Sequence, residues 1–195
     1  MMTLSKNIVI RWSVLIFAIA LLSCKQKKSD SIILNKTDTN KSESAYFDFD
    51  EVDHYHSDIE ERKVYLLNNP HSKIKKAEGD DKRAVIYMED VPDELPDENY
   101  GKQLEEFGFK KKRIDPSRNK EISNIFSLTT CNDVYAAACV PIYRDIFIFK
   151  KEGRIIGLAK ICFNCRLYYI VGTDKDQGEF GQCGGYEKLF RLIEQ

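Results

Sequence analysis

The spacing of apolar residues changes character along this chain, and each change predicts a boundary. Residues 12–22 read Trp-Ser-Val-Leu-Ile-Phe-Ala-Ile-Ala-Leu-Leu, an uncharged apolar run. It is shorter than the roughly 20 residues that span a bilayer. Residues 25–45 are mostly Lys, Ser, Thr, Asn and Asp, with Ile32-Ile33-Leu34 as an apolar island. Such a segment cannot bury enough surface to offset its ordering entropy, which predicts a disordered tether. Fully extended it would reach about 70 Å. Regular patterning begins near Tyr46. Phe47, Phe49, Val52, His54 and His56 alternate, predicting one or two strands. Asp58 is the expected cap of a helix running to about Leu67, stopped by Asn68-Asn69-Pro70. A turn is expected over 78–82 and a short apolar strand over 84–88. Pro96-Asp97-Glu98 opens a second helix, in which Tyr100, Leu104 and Phe107 recur at helical spacing before Gly108 stops it. Residues 109–114 predict another strand, with Lys110 to Arg113 as its solvated, lysine-guarded edge. Asp115-Pro116-Ser117 opens a third helix with Ile122, Ile125 and Phe126 on one face.

The last third reads as an antiparallel β-meander. Ile146-Phe147-Ile148-Phe149 leads into a turn at Lys151-Glu152-Gly153, where glycine supplies a positive φ. Residues 154–163 run back, and 167–171 make a further strand. Gly178, Gly181, Gly184 and Gly185 mark a loop, and 186–193 is a short amphipathic helix. Helices among early strands, followed by a meander, predict an α+β fold in a single small domain over 46–195.

Composition adds location. Residues 1–23 carry Lys6 and Arg11 as their charges, so a basic start precedes the apolar run, as in a secretory signal. The run ends Leu21-Leu22-Ser23-Cys24, which resembles the lipobox of bacterial lipoproteins. That resemblance implies cleavage after Ser23, a signal peptide of residues 1–23, and acylation of Cys24. Residues 24–45 then become a lipidated cysteine and its tether. Each buried methylene of such an anchor contributes about 0.8 kcal/mol. Lys25 stands where inner-membrane retention would favour aspartate, and Lys25-Gln26-Lys27-Lys28 lacks the acidity of surface-export tags. The expected location is therefore the outer membrane, on its periplasmic face. Residues 46–195 hold 23 basic and 28 acidic side chains, a net of −5. A mildly acidic domain argues against nucleic acid as a partner.

Export also frames the cysteines. Beyond Cys24 the chain has Cys131, Cys139, Cys162, Cys165 and Cys183, an odd set in an oxidising compartment. Three readings stand open. Cys139 pairs with Cys162 or Cys165 across neighbouring strands, with Cys131 and Cys183 as a second bridge. Alternatively, Cys139, Cys162, Cys165 and Cys183 bind zinc, since Cys-x2-Cys is a half-site and four thiolates suit that ion. In the third, Cys162-Phe-Asn-Cys165 is a redox pair, although the residues around it predict strand rather than the helix N-terminus that lowers a thiol pKa.

Other candidates carry less. His54 and His56 lie two residues apart beside Asp50, Asp53 and Asp58, so on a strand both imidazoles face one side and suit a metal ion. The plainer expectation is a polar edge strand. The acidic run from Asp90 to Glu98 reads as a solvated loop capping the second helix rather than a Ca²⁺ site. Arg144 and Asp145 read as a structural ion pair. No Gly-x-Ser-x-Gly elbow anchors a hydrolase triad, and the late glycines lack the Lys-Ser/Thr of a phosphate loop, so no catalytic residue is assigned.

The block Cys139-Val-Pro141-Ile-Tyr143-Arg144-Asp145, Gly157-Leu-Ala-Lys160-Ile-Cys162-Phe163-Asn-Cys165, Phe180-Gly181-Gln182 and Gly184-Gly185-Tyr186 resembles small uncharacterised lipoproteins of Bacteroidota. The likeness covers roughly 130–190. It implies an envelope location and treats the cysteine block as a unit, and it supplies no reaction. The expected function is a membrane-anchored envelope lipoprotein acting as a binding or structural module. Its partners would be membrane lipid, through acylated Cys24, and another envelope protein. The alternative is a metal-binding or thiol-redox domain using Cys139, Cys162 and Cys165, with zinc as the cofactor to test.

Overall fold

The computed structural model describes residues 45–73, 75–131, 135 and 138–194. The expected signal peptide, Cys24 and the tether through residue 44 lie outside the described residues. The alternating segment after Tyr46 forms β1 (Glu51–His56). Helices α1 (Glu61–Asn68), α2 (Asp80–Met88) and α3 (Tyr100–Glu106) follow, then β2 (Lys110–Arg113). A 3₁₀ turn at Pro116–Arg118 leads into α4 (Asn119–Ile125). The meander β3 (Asp145–Lys151), β4 (Arg154–Cys162) and β5 (Leu167–Val171) comes next, and α5 (Gly185–Ile193) is the last element. The strands form one five-stranded antiparallel sheet in the order β2-β1-β3-β4-β5. The fold is α+β. No described helix is long and apolar enough to cross a membrane.

Because successive strand residues point to opposite faces, the sheet carries two cores. Val52, Phe147, Phe149, Ala159, Ile161 and Ile170 face α4 and α5, where Ile122, Ile125, Leu189 and Leu192 cover them. Tyr55, Ile146, Ile148 and Leu158 face the other way, against Val64, Leu67, Tyr87 and Leu104 from α1, α2 and α3. Gly157 on β4 is needed for close approach: a Cβ there would run into the Phe47 ring, which packs over the strand.

Two local expectations are corrected. Residues 84–88, read as a strand after a turn, are the second half of α2. A five-residue apolar run does not separate strand from helix by itself. The preceding Asp80 and Asp81 are the acidic first turn of the helix, and Gly79, at φ 85°, supplies the left-handed entry. Ala84 and Tyr87, three apart, then lie buried on one helical face. Asp58 does not cap α1; the cap position is Glu60, which makes no side-chain bond there. Asp58 turns to His56 and Lys110 instead.

Candidate functional site

His54 and His56 share the face of β1 that looks toward α5, and Asp145, the first residue of β3, pairs directly across from His56. This strand is not the edge expected for it. β2 lies outside it, with Lys112 opposite His54 and Lys110 opposite His56. A second strand on that side buries His54, while the exposed edge falls to the four basic residues of β2.

Asp145 Oδ1 accepts a hydrogen bond from His54 Nε2 at 2.9 Å and another from His56 Nδ1 at 2.8 Å. Its partners are these imidazoles, and not Arg144, which the sequence placed with it. His56 Nε2 lies 3.2 Å from Asp58 Oδ1, and Asp58 Oδ2 takes Lys110 Nζ at 2.5 Å. The His54 ring stacks on Phe147 with centroids 4.7 Å apart and planes 20° apart, which holds its orientation. Burial works to raise the Asp145 carboxyl, but the bonds from His54 and His56 outweigh it, so its pKa lies below the usual carboxylate value. The same bond to Asp145 raises the His56 pKa against a smaller opposing effect of burial.

A pocket of about 470 Å³ opens over this cluster. Lys110 and Lys112 form one wall, and Phe190, Ile193 and Glu194 at the end of α5 form another. Lys112 Nζ reaches the Ile193 carbonyl at 3.3 Å, tying the sheet edge to that helix.

The cysteines resolve differently. Cys139 is bonded to Cys165 and Cys131 to Cys183, each pair with Cα atoms 6.0 Å apart. The first bridge ties the segment before β3 to the β4–β5 turn; the second ties the segment after α4 to the loop before α5. Cys162 is the free cysteine among the described residues, buried at the end of β4, where its sulfur accepts the Ile142 N–H at 3.4 Å. With four sulfurs in two bridges, the expected zinc set of Cys139, Cys162, Cys165 and Cys183 is not assembled. Nor is the Cys162/Cys165 redox pair, because Cys165 is bonded to Cys139 and no helix starts at Cys162.

Two functional-looking groups escaped the sequence reading. Asp145 was read as the ion-pair partner of Arg144, and its cross-strand partners were not legible. Lys160 stands in the apolar run of β4 and is wholly buried, with Nζ donating to the Glu89 carbonyl and lying 4.6 Å from the Tyr143 ring centroid. Burial pushes its pKa down to about 7, against the opposing pull of Asp90 and Glu89. Its signal was available: a lysine between Ala159 and Ile161 on a strand covered on both faces has no route to solvent.

The chain matches no family model, no curated protein and no solved structure. What the pocket does follows from its own chemistry.

Proposed function

We propose that this chain is a membrane-anchored envelope lipoprotein whose domain, residues 46–195, is a binding module, with the pocket over His54, His56 and Asp145 as its binding site. The observation that carries the binding reading is that pocket: about 470 Å³, with hydrogen-bonding groups gathered on its floor and an apolar wall from Phe190 and Ile193. Ligand sites combine an apolar lining with a few convergent polar groups. Neither disulfide uses a residue that lines the pocket. The anchor reading rests on Lys6, Arg11, the apolar run and Leu21-Leu22-Ser23-Cys24. Membrane lipid is the partner at Cys24, and the outer membrane's periplasmic leaflet is the location that Lys25 favours.

Native mass spectrometry of the full chain, extracted from envelopes in mild detergent, tests the binding reading. Lys112→Glu and Phe190→Asp alter two exposed pocket walls and spare the core. A bound species retained by the wild type and lost from both variants is expected. Identical spectra for all three proteins would remove the pocket from the binding reading.

A further inference from the structure

We infer that the floor of the pocket is a metal site, in which His54 Nε2, His56 Nδ1 and Asp145 Oδ1 hold one divalent first-row transition ion of the kind imidazole favours. The inference rests on the pocket being the domain's binding site and names what it binds. Its first support is convergence. The three ligand atoms come from two adjacent strands and lie within 4.8 Å of one another. Both imidazoles address a single carboxylate oxygen, at 2.9 and 2.8 Å. A tetrahedral zinc ion with bonds of about 2.0–2.1 Å spaces its ligands by roughly 3.4 Å. Opening each of these contacts by about half an ångström, with the two nitrogens brought to the same spacing, admits the ion. As the ion enters, each ring gives it the lone pair of the nitrogen that faces Oδ1; a neutral ring carries its one N–H on the other nitrogen, His56 there facing Asp58, and only a ring protonated on both nitrogens releases a proton to solvent.

Preorganisation is the second support. The β1–β3 ladder sets His56 directly opposite Asp145, and Phe147 fixes the His54 ring. His56 also presents its far nitrogen to Asp58 at 3.2 Å. A carboxylate on the outer nitrogen of a histidine is the arrangement that orients metal-bound imidazoles and raises their basicity.

The third support is a contrast within the same strand. Asp53, on the opposite face of β1, is also a wholly buried carboxylate. It is paired with Lys150 at 2.6 Å and Lys111 at 2.8 Å, ammonium groups that offer a metal no lone pair. That is how this chain meets a purely structural need. Asp145 is met instead by two imidazoles, groups that become lone-pair donors when they lose a proton. Access is the fourth support. The His56 side chain is 43% exposed at the pocket floor, which leaves a path for the ion and room for a further ligand beside it. Lys110 is paired with Asp58, and Lys112 is held at the pocket wall by the Ile193 carbonyl.

The chain has three histidines, and the third, His71, is exposed in the segment after α1, so it serves as an internal control. Full chain labelled with ¹⁵N-histidine, held in detergent and stripped with chelator, is titrated with Zn²⁺ and followed by imidazole NMR signals. The expected result is that the His54 and His56 rings shift, saturating at one equivalent, while His71 stays in place. Co²⁺ in place of Zn²⁺ is expected to give ligand-field absorption without a thiolate charge-transfer band. His56→Gln and Asp145→Asn are each expected to weaken binding ~100-fold or more, since loss of a mere outer-sphere partner already costs 10–100-fold. The inference is overturned if His54 and His56 do not respond, if His71 alone moves, or if binding survives both substitutions. The wild-type titration decides this even if a variant fails to fold. A wild type indifferent to Zn²⁺, whose bound species still depends on Lys112 and Phe190, would overturn the metal site and leave the pocket reading standing. Zn²⁺ bound at His54 and His56 with no species dependent on the walls would do the reverse.

Discussion

Lys160 and Cys162 share the end of β4, and each makes a measurable claim at the scale of one residue. The Lys160 ammonium is removed from water, and only a carbonyl, the Tyr143 ring and nearby Asp90 compensate it. Below about pH 7 the group is charged in both folded and unfolded chains, and the full burial penalty applies. Between about 7 and its ordinary 10.5 the folded chain holds the proton less often than the unfolded one, so stability rises with pH across that window. A shift of this size corresponds at its limit to on the order of 5 kcal/mol. Lys160→Met is expected to raise the thermal midpoint at about pH 6 and to flatten the rise between pH 7 and 10. Scans across that range check it; a midpoint lowered at every pH would mean that the bonds to Glu89 and Tyr143 outweigh the desolvation. For Cys162, burial predicts a silent thiol. In a Cys24→Ser chain, thiol counting is expected to find none in the native state, one after denaturation and five after reduction. Three or more thiols in the denatured, unreduced chain would contradict the pairing.

At the scale of the element, β4 is closely fitted at one glycine. Its Gly157 lies under Phe47, which in turn packs on Phe149 with ring centroids 4.5 Å apart. Gly157→Ala keeps an allowed strand backbone yet forces that ring to move, an overpacking that costs about 1–3 kcal/mol. A chemical-denaturation midpoint unchanged from wild type would show that Phe47 yields freely. Much of this level was legible in advance. The meander, the third helix and the basic edge strand follow from period-two alternation, the Asp-Pro-Ser start and lysine at an edge. The helix α2 was not, because its apolar run is too short to display a period. Its charged first turn also looked like surface turn chemistry. What decides it is the far side of the contact: Tyr87 stacks on Phe109, with centroids 5.0 Å apart, and its carbonyl accepts the Tyr143 N–H.

At the scale of the whole molecule, the expected anchor and the pocket set a single test of location. Cys24→Ser is expected to move the protein from the membrane fraction to the soluble fraction, or to leave an unprocessed precursor. Normal processing with full membrane retention would remove the lipid anchor from the account. Because the domain's own charge is a mild net −5, high salt is not expected to release the wild type.

Local patterns determined most of the element list and the α+β class, because alternation and helical spacing are written residue by residue. Cysteine number and the expected compartment favoured bridges, but only the return of β4 and β5 chose Cys165 over Cys162 as the partner of Cys139. The two histidines were visible as a pair on one strand face. Their third group was not, since Asp145 lies 89 residues beyond His56. Only strand order brought it across, and the placement of β2 outside β1 turned an expected polar edge into a walled pocket. Side-chain periodicity is a property of the chain itself. The neighbour on the next strand, and therefore the burial and chemistry of a site, belongs to the register of the folded sheet.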